Sequence, residues 1–78
     1  MAEYAATEYG EYLLIPRPSK TQNDRWAVGV KIQRTSHERL QSEMFRAEDG
    51  ITYMLAIEAV KECINLGRNL IDRGVVAF

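Results

Sequence analysis

The chain has few of the residues on which catalytic and metal sites are usually built. Its 78 residues include one cysteine, Cys63, and one histidine, His37. A lone cysteine cannot form an intramolecular disulfide, and these two residues alone cannot complete a hydrolytic triad or a catalytic metal site with three ligands. The five glycines are scattered, so no glycine-rich phosphate loop is present. We therefore predict no enzymatic activity, no cofactor and no metal.

Long apolar runs are also missing. No stretch approaches the roughly 20 apolar residues that cross a bilayer. Residues 1–9 carry Glu3 and Glu8 and no basic residue, unlike a secretory signal. Together with the single cysteine, these features predict a cytoplasmic protein with no membrane partner. A chain of this length has a thin core, so it needs either good packing or a partner for stability.

Charge is unevenly distributed, although the net charge is only −1. Residues 1–11 hold three acidic residues and no base, whereas residues 12–46 hold seven basic residues against three acidic ones. Either this is an ordinary mixed surface, or the middle of the chain forms a basic face for an anion. For the second interpretation the candidate nucleic-acid contacts are Arg17, Lys20, Arg25, Lys31 and Arg34.

Three strands are predicted before residue 47. The apolar run before Pro16 and Pro18 predicts a strand at 10–17. Alternation of large apolar with small or polar residues predicts a strand over 25–34. A third strand is predicted at 39–46, where Leu40, Ser42 and Met44 share a face but Phe45 is out of phase, so we expect a bulge near Met44. Short connections favour an antiparallel meander.

Residues from Thr52 onward follow a helical period. The predicted amphipathic helix of about twenty residues is capped by Asp49 and ends at Gly74. Gly67 lies in the apolar stripe, where glycine costs about 1 kcal/mol relative to alanine. Either the helix approaches the sheet closely at Gly67, or the residue is tolerated without a role.

Two features do not fit a self-contained monomer. Leu55 and Leu66 fall toward the polar side of the helix, and residues 75–78 are entirely apolar. The apolar tail either packs under the sheet, adds an edge strand or enters a partner. We predict a homodimer or a complex with another protein, since a small domain commonly gains stability that way. The candidate self-association residues are Leu55, Leu66, Val75, Val76 and Phe78.

Four other features are better explained by structure than by chemistry. His37 is predicted to be a solvated turn residue and Cys63 a buried, unreactive thiol. The helix carboxylates are expected to be solvated, and Trp26 is assigned to the core.

The order of three strands and a helix, with Trp26-Ala27-Val28-Gly29-Val30 opening the central strand and Gly67-Arg68-Asn69-Leu70-Ile71-Asp72 ending the helix, resembles small stand-alone bacterial proteins of unknown function. The likeness covers about residues 11–73 and implies no active residues. The same order looks like the arm-type N-terminal DNA-binding domain of integrases and the latter part of a double-stranded-RNA-binding domain. The RNA-binding module has a lysine cluster at the start of its last helix, where this chain has Glu48-Asp49, and the arm-type domain is normally fused to a recombinase.

The sequence thus predicts an α+β fold, a three-stranded antiparallel β-meander with one long C-terminal helix packed on one face. Residues 1–8 are expected to form a flexible tail, 9–74 the single domain and 75–78 an apolar tail. The predicted function is a non-enzymatic, self-associating interaction module, and the alternative is a nucleic-acid-binding accessory protein. The predicted core comprises Leu14, Trp26, Val28, Val30, Ile32, Leu40, Tyr53, Ile57, Val60, Ile64, Leu70 and Ile71.

Overall fold

The computed structural model describes residues 4–36, 38–48 and 50–78. It confirms an α+β fold with antiparallel sheets and a C-terminal helix, but the predicted three-stranded meander is wrong, because seven strands form two sheets. The elements are β1 (Thr7–Tyr9), β2 (Tyr12–Pro16), β3 (Ser19–Lys20), β4 (Trp26–Ala27), β5 (Gly29–Ser36), β6 (Arg39–Arg46), β7 (Thr52–Tyr53) and α1 (Ala56–Asp72).

The larger sheet has four strands in the order β1-β2-β5-β6. Strand β1 was not predicted, since residues up to 8 were assigned to a flexible tail. Gly10 and Glu11 form a two-residue turn between β1 and β2, and Gly10 has a φ of 62°. A glycine with positive φ at the first turn position suits a type II′ hairpin, and this turn returns the chain onto β2. The two edges of the sheet are therefore unequal, with three residues in β1 and eight in β6.

The smaller sheet explains why the strand predicted at 25–34 is divided. Its order is β3-β4-β7, so Trp26 pairs with Lys20 on one side and with Tyr53 on the other. From Gly29 onward the chain pairs instead with β2 and β6. Val28, between the two segments, is buried at 5% exposure. The pairing of Thr52 and Tyr53 in β7 also delays the start of the helix, which had been predicted from Thr52.

Strand β6 has the predicted bounds but not the predicted bulge. Its register with β5 is continuous, from Gly29 opposite Arg46 to Ser36 opposite Arg39. Phe45 lies opposite the buried Val30 and packs against the core. Met44 and Phe45 lie on opposite faces of a regular strand, so no bulge between them is needed. Leu40, predicted to be core, is 66% exposed because it shares the other face of the sheet with Met44.

Helix α1 begins after the N-cap residue Leu55, which makes no side-chain capping bond. The predicted cap, Asp49, lies outside the described residues. At the other end the predicted terminator is confirmed, since Gly74 has a φ of 72°. Its N–H donates to the Ile71 carbonyl and the Val75 N–H donates to the Leu70 carbonyl, each at 3.0 Å, which is the bonding pattern of a Schellman motif.

The helix packs on the sheet through its smallest residues. Ala59, Cys63 and Gly67 are its buried positions, whereas Ile57, predicted to be core, is 58% exposed. A Cβ on Gly67 would lie 2.9 Å from Cδ2 of Leu14. The predicted close approach at Gly67 is therefore confirmed.

The core consists of two adjoining clusters. Leu14, Val30 and Ile32 are fully buried in one, and Val28, Ala59 and Cys63 form the other, with Trp26 and Tyr53 partly buried against it.

Residues 75–78 also contribute to this core. Val76 and Phe78 pack against the first cluster. The Phe78 ring meets Tyr12 edge to face, with centroids 6.3 Å apart, and the Tyr12 hydroxyl donates to the Phe78 carbonyl. These contacts bury part of the apolar segment 75–78 against this chain's own core, so that part needs no partner chain to cover it.

Candidate interaction surfaces

Strand β6 is the long open edge of the four-stranded sheet. It pairs with β5 on one side, and seven of its eight residues are exposed. The strand contains no proline and has a continuous register, and both proline and bulges are common means of blocking an edge. Its charges are mixed in sign, with Arg39, Glu43 and Arg46.

The hydrogen-bond phase of β6 follows from one bond at its end. The Ala47 N–H donates to the Val28 carbonyl at 3.1 Å, in the same register as the β5–β6 pairs. Because antiparallel pairs alternate, the odd-numbered residues of β6 direct their backbone groups toward β5. The even-numbered residues therefore direct both N–H and C=O away from the sheet. These residues are Leu40, Ser42, Met44 and Arg46.

The same register defines the outer face of the sheet, opposite α1, because cross-strand partners share a face. One row across this face contains Ile15, Lys31 and Met44, and the next contains Leu13, Gln33 and Ser42. Leu13 and Ile15 are half-buried, and Met44 is 40% exposed. The outer face is therefore apolar along β2 and part of β6, with a cation at its centre.

Of the five predicted nucleic-acid contacts, two lie on this outer face. The Arg17 N–H donates to the Gly29 carbonyl at 3.0 Å, which places Arg17 in one row with Gly29 and Arg46. Lys31 is in the adjoining row. Arg46 is a third cation of this cluster and was not among the predicted contacts. Arg46 could have been predicted as a member of this cluster from the alternation of β6, if the sequence had shown which face of that strand is the outer one.

The other three predicted contacts lie elsewhere, and their side chains have partners. Arg34 is on the helix side, 2.7 Å from a carboxylate oxygen of Glu11 and over the Tyr12 ring. Arg25 donates from Nε to the Thr52 hydroxyl at 2.7 Å and from Nη2 to its carbonyl at 3.0 Å.

Lys20 is engaged within its own hairpin. Its Nζ is 2.8 Å from a carboxylate oxygen of Asp24 and 6.0 Å from the centroid of the Trp26 ring. Its hydrogen bond and positive charge hold the pKa of Asp24 below its usual value. The single basic face predicted from the sequence is therefore divided.

The predicted self-association residues are divided as well. Leu66, Val76 and Phe78 are partly buried against this chain's own core. Leu55 and Val75 are 56% and 49% exposed, and they lie just before and just after α1. Their part in association stays a prediction.

A shallow groove of about 580 Å³ runs beside the helix. It is lined by Ile57, Val60 and Ile64 of α1 and by Tyr4 and Thr7 of the chain leading into β1. Ile57, Val60 and Ile64 therefore border this groove, and Ile64 also packs against the first core cluster.

The groups considered for chemistry are placed as follows. Cys63 is fully buried, and burial raises the pKa of its thiol, so the protonated form is favoured. His37 lies outside the described residues. Within residues 4–36, 38–48 and 50–78, no three His, Cys, Asp or Glu residues are grouped to hold a metal ion. In the same part of the chain, no helix has the length and apolarity needed to cross a membrane.

No protein-family model matches the chain, and neither the curated proteins nor the solved structures contain a significant match. The resemblances noted from the sequence stay predictions.

Proposed function

We propose that this chain is a non-enzymatic interaction module that self-associates, and that its binding element is the open edge β6. The observation that carries the proposal is a strand of eight residues that is paired on one side and exposed at seven positions. Such a strand presents a row of backbone donors and acceptors that can pair with another strand. The free thiol of Cys63 is consistent with the predicted cytoplasmic location.

Strand addition suits this edge better than burial of the outer face. Burying that face against another layer would also bury Lys31, which lies between Ile15 and Met44. An unpaired charge is costly to remove from water. Pairing at β6 leaves Lys31 solvated and satisfies the backbone groups of the even-numbered residues.

The test is a proline at Ser42. The Ser42 N–H is directed away from β5, so Ser42→Pro removes no bond inside the sheet, and edge strands tolerate proline at such positions. We expect the wild-type chain to sediment as a dimer of 8.9 kDa subunits at micromolar to millimolar concentrations. We expect Ser42→Pro to sediment as a monomer with an unchanged circular dichroism spectrum.

Two proline controls make this result specific. Glu8 lies in β1 between the hydrogen-bonded pairs Thr7–Leu14 and Tyr9–Tyr12, so its N–H is also directed outward. Glu8→Pro therefore blocks the opposite edge and should leave the dimer intact. Gln41→Pro removes a bond to β5 and should destabilise the fold itself. A monomeric wild-type chain, or a dimer that survives Ser42→Pro, would contradict the proposal.

A second candidate function is binding of a nucleic-acid backbone by the outer face. The observation that favours it is the placement of three cations, Arg17, Lys31 and Arg46, in two adjoining rows of this face. Binding of a short DNA or RNA duplex should weaken steeply with salt and with Lys31→Ala, whereas Arg25→Ala should have little effect because that side chain is bound to Thr52. Binding that is unchanged by Lys31→Ala would exclude this face.

A further inference from the structure

We infer that the partner of β6 is β6 of a second copy, paired antiparallel about a twofold axis that passes beside Ser42. This inference rests on the proposed function and adds the identity of the partner strand, its direction and its register. The pairing would join the two four-stranded sheets into one continuous sheet. It is derived from the hydrogen-bond phase of the edge, the length of the strand and the positions of its charges.

The hydrogen-bond phase of β6 excludes half of the registers in which two copies of β6 could pair. The outward-directed backbone groups belong to the even-numbered residues, so a second strand must place its own even-numbered residues opposite them. The axis then passes beside a residue, and never between two residues. Because opposite residues share a face, both helices lie on the same side of the joined sheet, and the two outer faces become continuous.

Length and charge select one register among those that remain. Only an axis at Ser42 or at Glu43 pairs seven residues of the strand. An axis at Gln41 pairs five, namely residues 39–43. An axis at Glu43 sets two carboxylates directly opposite each other, and like charges in that position are destabilising. The axis at Ser42 sets two small neutral side chains opposite each other.

The register centred on Ser42 also matches side chains along the rest of the strand. Leu40 lies opposite Met44 of the second copy, and this apolar pair occurs twice. Both residues are exposed in the isolated chain, at 66% and 40%. Arg39 lies diagonal to Glu43 of the second copy, and because of the twofold axis this pair of opposite charges also occurs twice. The mixed charges of this edge are therefore self-complementary.

A charge pair at position 42 tests the register directly. In Ser42→Lys, two lysines lie opposite each other across the axis at a Cα separation of about 5.5 Å, and in Ser42→Glu two carboxylates do so. We expect each variant alone to dimerise about fivefold more weakly than the wild type, since an unfavourable cross-strand pair costs up to about 1 kcal/mol. An equimolar mixture of the two variants should regain wild-type association, measured by sedimentation equilibrium.

The matched control is Thr35→Lys with Thr35→Glu. Thr35 lies on the same outer face, one strand away from the edge and opposite Leu40. Neither variant should change association, and their mixture should behave like each alone.

The outcomes separate this inference from the proposed function. If the wild type dimerises and Ser42→Pro does not, but the mixture of Ser42→Lys and Ser42→Glu gains nothing, then β6 is the binding element and the Ser42 axis is wrong. If the wild type is monomeric throughout, both the inference and the self-association fail. Recovery in the mixture, with no effect of the Thr35 variants, would establish the register.

Discussion

The two sides of β5 differ sharply. Ile32 has the buried Leu14 as its partner on the β2 side and the exposed Glu43 on the β6 side. Along β2 the helix covers the sheet through Cys63 and Gly67, whereas most of β6 extends beyond the helix. Apart from Phe45, which packs against the first cluster, the side chains of β6 therefore lie outside the hydrophobic core. Strand β6 is held mainly by its backbone bonds to one neighbour, which leaves its other edge available.

The largest expected effect comes from truncating a side chain on each side of this boundary. Leu14→Ala should lower the free energy of unfolding by about 3 kcal/mol, because it leaves a cavity under the helix. Leu40→Ala should change it by less than about 0.5 kcal/mol, as is usual for an exposed position. Urea unfolding at concentrations where the chain is monomeric measures both values. Equal losses at the two sites would mean that the core extends into β6.

For β6 the sequence predicted the position of the strand correctly but not which of its two faces is buried. The bounds of β6 and the shared face of Leu40, Ser42 and Met44 were correct, but that face is the outer one. Alternation tells which residues lie together, and only the position of the helix tells which set is covered. Phe45, the residue that broke the predicted pattern, is the one that packs against the core.

The helix was misread for a related reason. Its apolar stripe is wide, and the predicted core included Ile57, Val60 and Ile64 but not Ala59. The centre is instead Ala59, Cys63 and Gly67, because close contact with Leu14 requires small residues. The short strands β3, β4 and β7 depend on contacts between distant segments, which no local pattern reveals. The open edge also depends on strand order and could not be predicted.

A second prediction concerns the side of β5 that the helix covers, where Gly67 contacts Leu14. An alanine at Gly67 should gain about 1 kcal/mol of helix propensity, but its Cβ would lie 2.9 Å from the side chain of Leu14. Crowding of this kind typically costs about 1–3 kcal/mol, so we expect a net loss of about 1 kcal/mol in the wild-type background. In a Leu14→Ala background both Leu14 contacts are removed and only Cγ2 of Val30 remains, at 3.3 Å, so Gly67→Ala should cost less than in the wild type or stabilise the chain. A double-mutant cycle measured by urea unfolding gives this coupling, and additive effects would contradict the contact.

The smallest expected effect concerns a bond that links the other edge to the helix. The Tyr9 hydroxyl donates to a carboxylate oxygen of Asp72 at 2.6 Å, and this bond, with the nearby negative charge, raises the pKa of Tyr9 above 10.0. Any stabilisation by the bond is therefore full below the ordinary tyrosine pKa and is lost as the pH rises through the folded value. NMR titration of the Tyr9 ring should show its pKa fall in Asp72→Asn. An unchanged pKa would argue against the bond in solution.

The inequality of the two sheet edges sets a limit on growth. A subunit with two long, compatible edges could add copies without end, as fibrils do. The proposed pairing would use seven of the eight residues of β6 in both copies and would leave only the three-residue β1 at each outer boundary of the joined sheet, tied to its own helix by Tyr9. Under this proposal the shortness of β1 would prevent the addition of a third copy, and assembly would end at the dimer.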